Sequence, residues 1–389
     1  MRCAVLLLLA FPVAAAAFAD VGCSDAPTAP RERLLIREHG KWGYLDRNFK
    51  PAIAATLGYA GEFAGRFAWT SSRVEDPPRL IDASGNVVFD ARLKSNEAAY
   101  RNQLFSPRVL GPSEGLVLLQ VYGLRQDTPQ YSRYGYKTLN GEWQIDPDFD
   151  EASLFSEGVA SVEISDPNNV LTTRAGYIRP DGTFAIRPMF AKARSFSEGL
   201  ATVTTVGGGT GVIEHAGKIV FSGTFEDIGP FSQALAYAKR GSADYVFLRR
   251  DGALLPTPKL SFAKPFSGDF AAVQIGGKDT LDRFEPYNLE GGHWGYLNKD
   301  GALAIPPKFD WACSFSEGFA AVKIRVDNDP HHTSSDGKWG YVDASGIIAI
   351  APRFNRADPF VDGIAGVSLD DKEAYIDRSG RILWIEVAR

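Results

Sequence analysis

The densest group of potential metal ligands in the chain is Asp327-Asn328-Asp329-Pro330-His331-His332. Adjacent imidazoles in a loop can share a metal, and neighbouring carboxylates can complete its coordination. No Cys or His spacing of a metal-binding motif accompanies the group, so a solvated loop is the favoured reading. Neither a resident metal nor a cofactor is expected. His39, His215 and His293 are scattered and define no Ser-His-Asp constellation. Gly207-Gly208-Gly209-Thr210-Gly211 resembles a phosphate loop. It lacks the Gly-Lys-Ser/Thr and the following helix that such a loop needs, and Val212-Ile213 starts a strand instead.

Two sets of carboxylates recur: Asp46, Asp82, Asp343 and Asp377, and Glu157, Glu198 and Glu317. A group needed once for chemistry has no reason to appear in every unit. Each Asp stands three residues before a turn position, usually Gly, where its side chain can cap the turn. Each Glu lies in Ser-Glu-Gly and is read as structural. The chain is therefore expected to be a binding or scaffolding protein and no enzyme; the alternatives are a propeller-like hydrolase or lyase with its site in the loops, and a purely structural envelope protein.

The elements that hold these residues repeat. With the Gly of Trp-Gly-Tyr as origin, a second Gly falls six residues on at Gly141, Gly182, Gly217, Gly252, Gly301, Gly346 and Gly380. Phe falls twenty residues on at Phe63, Phe155, Phe196, Phe231, Phe266, Phe315 and Phe360. Tyr-Ile/Leu-Asp-x-x-Gly-x-x-x-Ile reads as two short strands around a tight turn. Pro147, Pro188, Pro307 and Pro352 are expected to end the second strand, since proline cannot donate to a ladder. Phe149, Phe190, Phe309 and Phe354 follow as core plugs. Phe-Ser-Glu-Gly is a second turn, and Leu-Ala-Thr-Val alternates as a third strand. The fold class is therefore all-β, built of tandem three-stranded β-meander repeats, about eight with a partial ninth. Such units bury their faces only by stacking. Leu34-Leu35-Ile36-Arg37 looks like a stray third strand, and the last unit lacks one. Complementary ends favour a propeller-like ring closed by pairing first and last strands; an open β-solenoid is the alternative.

Composition narrows the class. The net charge of −5 does not suggest a nucleic-acid partner. Residues 1–19 read as a signal peptide, with Arg2 before an apolar run and Ala17-Phe18-Ala19 at its end. Residues 20–33 are an N-terminal linker, 34–385 the repeat domain and 386–389 a C-terminal tail. No transmembrane segment is expected. Export to periplasm, cell envelope or medium is expected, with a lipid anchor at Cys23 as an alternative because Val21-Gly22-Cys23 resembles the end of a lipobox. Cys23 and Cys313 could pair in an oxidising compartment; the apolar flanks of Cys313 favour burial as a small core residue.

Lys/His-Trp-Gly-Tyr-Ile/Leu/Val-Asp/Asn, complete at Trp42, Trp294 and Trp339, together with Phe-Ser-Glu-Gly-x-Ala-x-Val, resembles the WG repeat family of bacterial proteins. The resemblance covers roughly residues 34–385 and implies architecture and export more than activity. The long insertions, 123–133, 165–174, 276–292 and 325–337, sit at one joint of the repeat, where repeat proteins commonly bind. Arg125, Tyr131, Arg133, Arg283, Phe284, Tyr287, His331 and His332 are the candidate contacts there, toward a protein or glycan partner. The repeating Phe positions read as core, and Trp42, Trp294 and Trp339, which precede Gly near a strand start, as either core or partly exposed.

Overall fold

The computed structural model describes residues 31–386, apart from 74–75, 93–107, 126–127, 167–168, 278–291, 326–336 and 371. Nine small antiparallel sheets follow one another in a ring, a nine-bladed β-propeller. The described residues contain no helix, hence none long and apolar enough to cross a membrane. Blade 1 (34–57) has three strands. Blades 2 (59–90), 3 (108–149), 4 (151–190), 5 (192–223), 6 (227–260), 7 (262–309), 8 (311–354) and 9 (356–385) have four each, paired in chain order. We label them a to d; in blade 5 they are Lys192–Ala193, Leu200–Thr204, Thr210–Glu214 and Ile219–Gly223. Blade 1 holds b to d only: Leu34–Glu38, Lys41–Leu45 and Pro51–Leu57.

The sheets are out of phase with the sequence repeat. The unit beginning at Gly176 supplies strands c and d of blade 4 and then a and b of blade 5. A unit is thus no self-contained meander, because its third strand pairs with the first strand of the following unit. The prolines also depart from expectation. Pro147, Pro188, Pro307 and Pro352 lie inside strand d, not at its end. In blade 4 the ladder passes directly from Tyr177↔Ile186 to Ala175↔Phe190, so Pro188 occupies a bulge that asks for no N–H.

That bulge explains the glycine of Trp-Gly-Tyr. It has no need of a left-handed φ, but strand d crosses directly over it. A Cβ on Gly176 would lie 2.7 Å from the nitrogen of Pro188, and one on Gly340 2.5 Å from the carbonyl oxygen of Ile350. The following tyrosine reaches into the next blade. Tyr177 Oη donates to the carbonyl of Arg194 at 2.7 Å, and Tyr44, Tyr136, Tyr296 and Tyr341 repeat the bond 17 residues ahead of themselves. Burial holds the Tyr136 and Tyr177 phenols well above their usual range, so they remain donors. All seven Phe of the twenty-residue series are buried, as are Phe149, Phe190, Phe309 and Phe354. Of the two readings open for the tryptophans, Trp294 and Trp339 are core and Trp42 is half-buried.

The ring does not close by pairing first and last strands. Strand Leu34–Glu38 pairs with Lys41–Leu45 in its own blade, and blade 9 takes all four strands from the C-terminal end. Side chains make the seam instead. Leu34, Ile36 and Leu45 pack with Tyr375, whose hydroxyl donates to the carbonyl of Leu35 at 2.7 Å. Asp362 of blade 9 accepts from the backbone N–H of Arg31 and pairs with Arg47.

Candidate functional site

In each four-stranded blade the a–b and c–d turns lie at one end of the sheet and the b–c hairpin at the other. The ring consequently has a turn face and a hairpin face. All four long insertions fall on b–c hairpins, of blades 3, 4, 7 and 8. Two of them are not loops. In blade 3, strands Leu116–Arg125 and Thr128–Thr138 run for 10 and 11 residues, and in blade 4 Asn169–Ile178 runs for 10. Blade 5 uses five-residue strands around the Gly207–Gly209 turn, where Gly209 N–H donates to Thr205 Oγ1 at 3.1 Å. That Gly-rich run is the inter-unit turn expected of it.

The candidate contact residues divide accordingly. Arg125 and Tyr131 stand on the extended ladder of blade 3, at Thr128↔Arg125 and Tyr131↔Gly123; their side chains lie outside the described part of the structure. Arg133 is engaged within the fold: it pairs with Asp150 at 2.6 Å and donates to the carbonyl of Asp148 at 3.1 Å. Arg283, Phe284, Tyr287, His331 and His332 lie outside the described residues, as do Asp327 and Asp329 and the signal and linker residues up to 30. Among the described residues no cluster of three His, Cys, Asp or Glu could hold a metal ion. Cys313 is buried, and it is disulfide-bonded; Cys3 and Cys23 both lie outside the described residues.

The recurrent carboxylates are structural, in two different ways. Asp46 Oδ1 accepts from the N–H groups of Asn48 and Lys50 at 2.8 and 2.9 Å, and Asp82, Asp343 and Asp377 do the same in their turns. The Lys50 and Asn48 N–H bonds hold the Asp46 carboxyl below its usual range. The Glu of Ser-Glu-Gly works between blades. Glu198 accepts from the N–H groups of Gln233 and Ala234 at 2.7 and 2.8 Å, and Glu317 from those of Asp362 and Gly363 at 2.6 and 2.9 Å. Glu157 and Glu198 themselves sit at φ 56° and 52°, so both central residues of these turns are left-handed.

The serine that opens each of these turns, whether or not a Glu follows it, is the residue that sequence reasoning missed. Ser156, Ser197, Ser232, Ser267 and Ser316 each donate Oγ–H to the carbonyl of the next blade's Phe, at 2.6–2.8 Å, and Ser113 does so to Phe155. Six bonds thus run in succession from blade 3 to blade 9. Their signal was present in the recurrence of Phe-Ser. Gly111-Pro112-Ser113-Glu114-Gly115 also matches a Gly-x-Ser-x-Gly pattern, but Ser113 is spent on this bond and no helix follows.

A cavity of about 380 Å³ opens on the turn side of blades 4 to 6. It is lined by Ser153 and Ser161 of blade 4, by Arg194, Ser195, Leu200 and Thr202 in blade 5, and by Pro230 and Phe231 in blade 6. Its origin is one variable column of the repeat. Ser161 and Thr202 fall where blade 6 carries Tyr237, whose ring lies over Gly229: a Cβ there would sit 2.3 Å from Cε1. Hydroxyl residues in blades 4 and 5 leave that volume open.

The WG containing repeat family matches six times, at residues 134–166, 176–208, 211–242, 250–278, 294–325 and 339–372. No curated protein matches the chain. Among solved structures, one titled as a eukaryotic initiation factor is 10% identical over 86% of this chain and 88% of that one, with a TM-score of 0.49. The β-propeller domain of the Trilobed protease from Pyrococcus furiosus is 9% identical over 72% and 98%, with a TM-score of 0.39. BamB from Moraxella catarrhalis is 12% identical over 92% and 91%, with a TM-score of 0.35. With six matched units laid along successive blades from 3 to 9, the chain belongs to the WG containing repeat family.

Proposed function

We propose that this WG-repeat propeller is an exported, non-catalytic binding or scaffolding protein that engages a protein or glycan partner on its hairpin face. The observation that supports the reading is the one-sided placement of its length variation. The turn face is built from short turns tied blade to blade by Ser and Glu. The hairpin face carries the elongated ladders of blades 3 and 4 and the segments 278–291 and 326–336 of blades 7 and 8. A face that tolerates insertion while the opposite one is clasped is where a repeat scaffold varies its partner.

The test replaces residues 278–291 by a short Gly-containing turn and compares the variant with the wild type. Both are presented to an envelope extract by cross-linking and to a glycan array. Loss of a specific partner, with circular dichroism and thermal midpoint unchanged, supports the proposal. Equal capture by both proteins would remove that segment from it, and equal capture by a chain also shortened at 326–336 and 123–131 would sink it. Cell fractionation with N-terminal sequencing checks the export: a mature chain starting at Asp20 outside the cytoplasm is expected.

A further inference from the structure

We infer that the cavity of blades 4 to 6 is a binding site for one neutral sugar ring, separate from the hairpin face. Its polar lining has unused capacity. Ser153 Oγ is occupied, accepting from the Ser161 N–H at 3.0 Å and donating to the carbonyl of Leu154 at 3.1 Å. The side-chain hydroxyls of Ser161, Ser195 and Thr202 make no hydrogen bond among the described residues, and Ser161 and Thr202 are themselves buried. Each of these hydroxyls can both donate and accept. A ligand hydroxyl has the same double capacity, whereas a carboxylate or phosphate only accepts.

The charge balance points the same way. Arg194 is the cation on the lining, and it pairs with Asp227 at 2.7 Å. A lining whose guanidinium is already paired with a carboxylate from outside it favours neither anion nor cation, and the remaining N–H groups of Arg194 can donate to a ligand hydroxyl. Ala193, Leu200 and Pro230 supply apolar contact for the C–H face of a ring. The volume lies near the lower end of the roughly 300–1,000 Å³ common for small-molecule pockets. That suits a single ring with accompanying water and not an extended chain within the cavity.

Saturation-transfer NMR on the mature chain tests this, with glucose, galactose and N-acetylglucosamine as probes at millimolar concentration. At least one sugar is expected to receive saturation, with the transfer reduced about tenfold or more in Thr202→Val, which keeps the shape and removes the hydroxyl. Ser161→Ala is expected to act in the same direction, and both variants should retain wild-type circular dichroism. Methyl glycosides separate two sources of the same chemistry: a site that takes the exposed end of a glycan accepts them, and one that encloses a free sugar refuses them while binding the sugar itself. No transfer to any of the probes would overturn the inference, as would equal transfer in the wild type and both variants.

Discussion

Replacing Ser232 by alanine isolates a single inter-blade bond. Its Oγ–H reaches the carbonyl of Phe266 in blade 7 at 2.7 Å, and Phe266 is buried. An ordinary hydrogen bond contributes about 1 kcal/mol net, and orphaning a buried acceptor costs about 1–3 kcal/mol. Ser232 is half-buried, so water can partly replace the lost donor, and a destabilisation of about 1–2 kcal/mol is expected. Ser156→Ala removes the corresponding bond from blade 4 to Phe196. The two sites share no partner, so the double variant should match the sum of the singles to within about 0.5 kcal/mol. Ser379→Ala is the control: its hydroxyl bonds only to Asp377 in its own exposed turn, and a change below about 0.5 kcal/mol is expected. Urea unfolding followed by tryptophan fluorescence measures all four. The reasoning fails if Ser232→Ala shifts the midpoint no more than Ser379→Ala does.

Two further outcomes follow from the same turns. Ala234 sits at φ 65°, where blades 4, 5, 8 and 9 have glycine. A left-handed alanine costs about 1–2 kcal/mol, of which the freer unfolded glycine chain offsets about 0.5–1 kcal/mol. Ala234→Gly should therefore raise the urea midpoint slightly, and a fall would contradict the strain. Acid should loosen the ring. Burial pushes the Glu317 carboxyl up, but Arg378 and the N–H groups of Gly363 and Asp362 outweigh it and hold it below its usual range. The hydroxyl and N–H bonds of Ser345 and Ser379 do the same for Asp343 and Asp377. A folded pKa below the unfolded one means that the unfolded chain takes up protons first. This stability is fully present above the ordinary carboxylate value of about 4 and is lost below it, as pH falls toward and through the lower folded values. Thermal midpoints measured from pH 6 to pH 3 should fall, and less steeply in Glu317→Gln; parallel slopes would refute the role of Glu317.

Much of this fold was legible because its periodic residues answer to local physics. A Gly six residues past Trp-Gly-Tyr has φ near 80° wherever it occurs, and an Asp three residues earlier caps the same turn. The Phe series is core in every blade that carries it. The phase of the sheets was hidden because a repeat has no beginning: whether a sheet is cut before strand c or before strand a leaves the periodicity unchanged. Tryptophan burial was hidden because it depends on the residue opposite. Trp294 and Trp339 face Phe309 and Phe354 across the ladder, and Trp294 also lies 5.3 Å from the ring of Trp311. Trp42 faces Leu57 and stays half-buried beneath Arg37. The cavity was not legible because no recurring residue marks it. Ser161, Thr202, Tyr237, Ala272, Ala321 and Gly366 share one column whose residues range from glycine to tyrosine, and it is that lack of recurrence which opens a space.

The same contrast locates the joint on which the ring depends. From blade 3 to blade 9 every boundary carries a serine bond, but at the seam Val361 stands in the serine position and blade 1 has no strand a. Blade 2 has Ala64 there. A propeller that interleaves its termini in one sheet joins them by backbone ladder bonds; this one relies on the Tyr375 hydroxyl, the Asp362 carboxylate with Arg31 and Arg47, and a small apolar cluster. Those contacts place the start of the described chain against blade 9, next to the blade that holds the disulfide-bonded Cys313. The repeat thus supplies uniform strength around two thirds of the circle, and the non-repeating residues at its ends supply the closure. Closure therefore rests on Arg31, Arg47, Asp362 and Tyr375 as positions of their own, and the effect of substitutions there follows from the seam and not from the repeat.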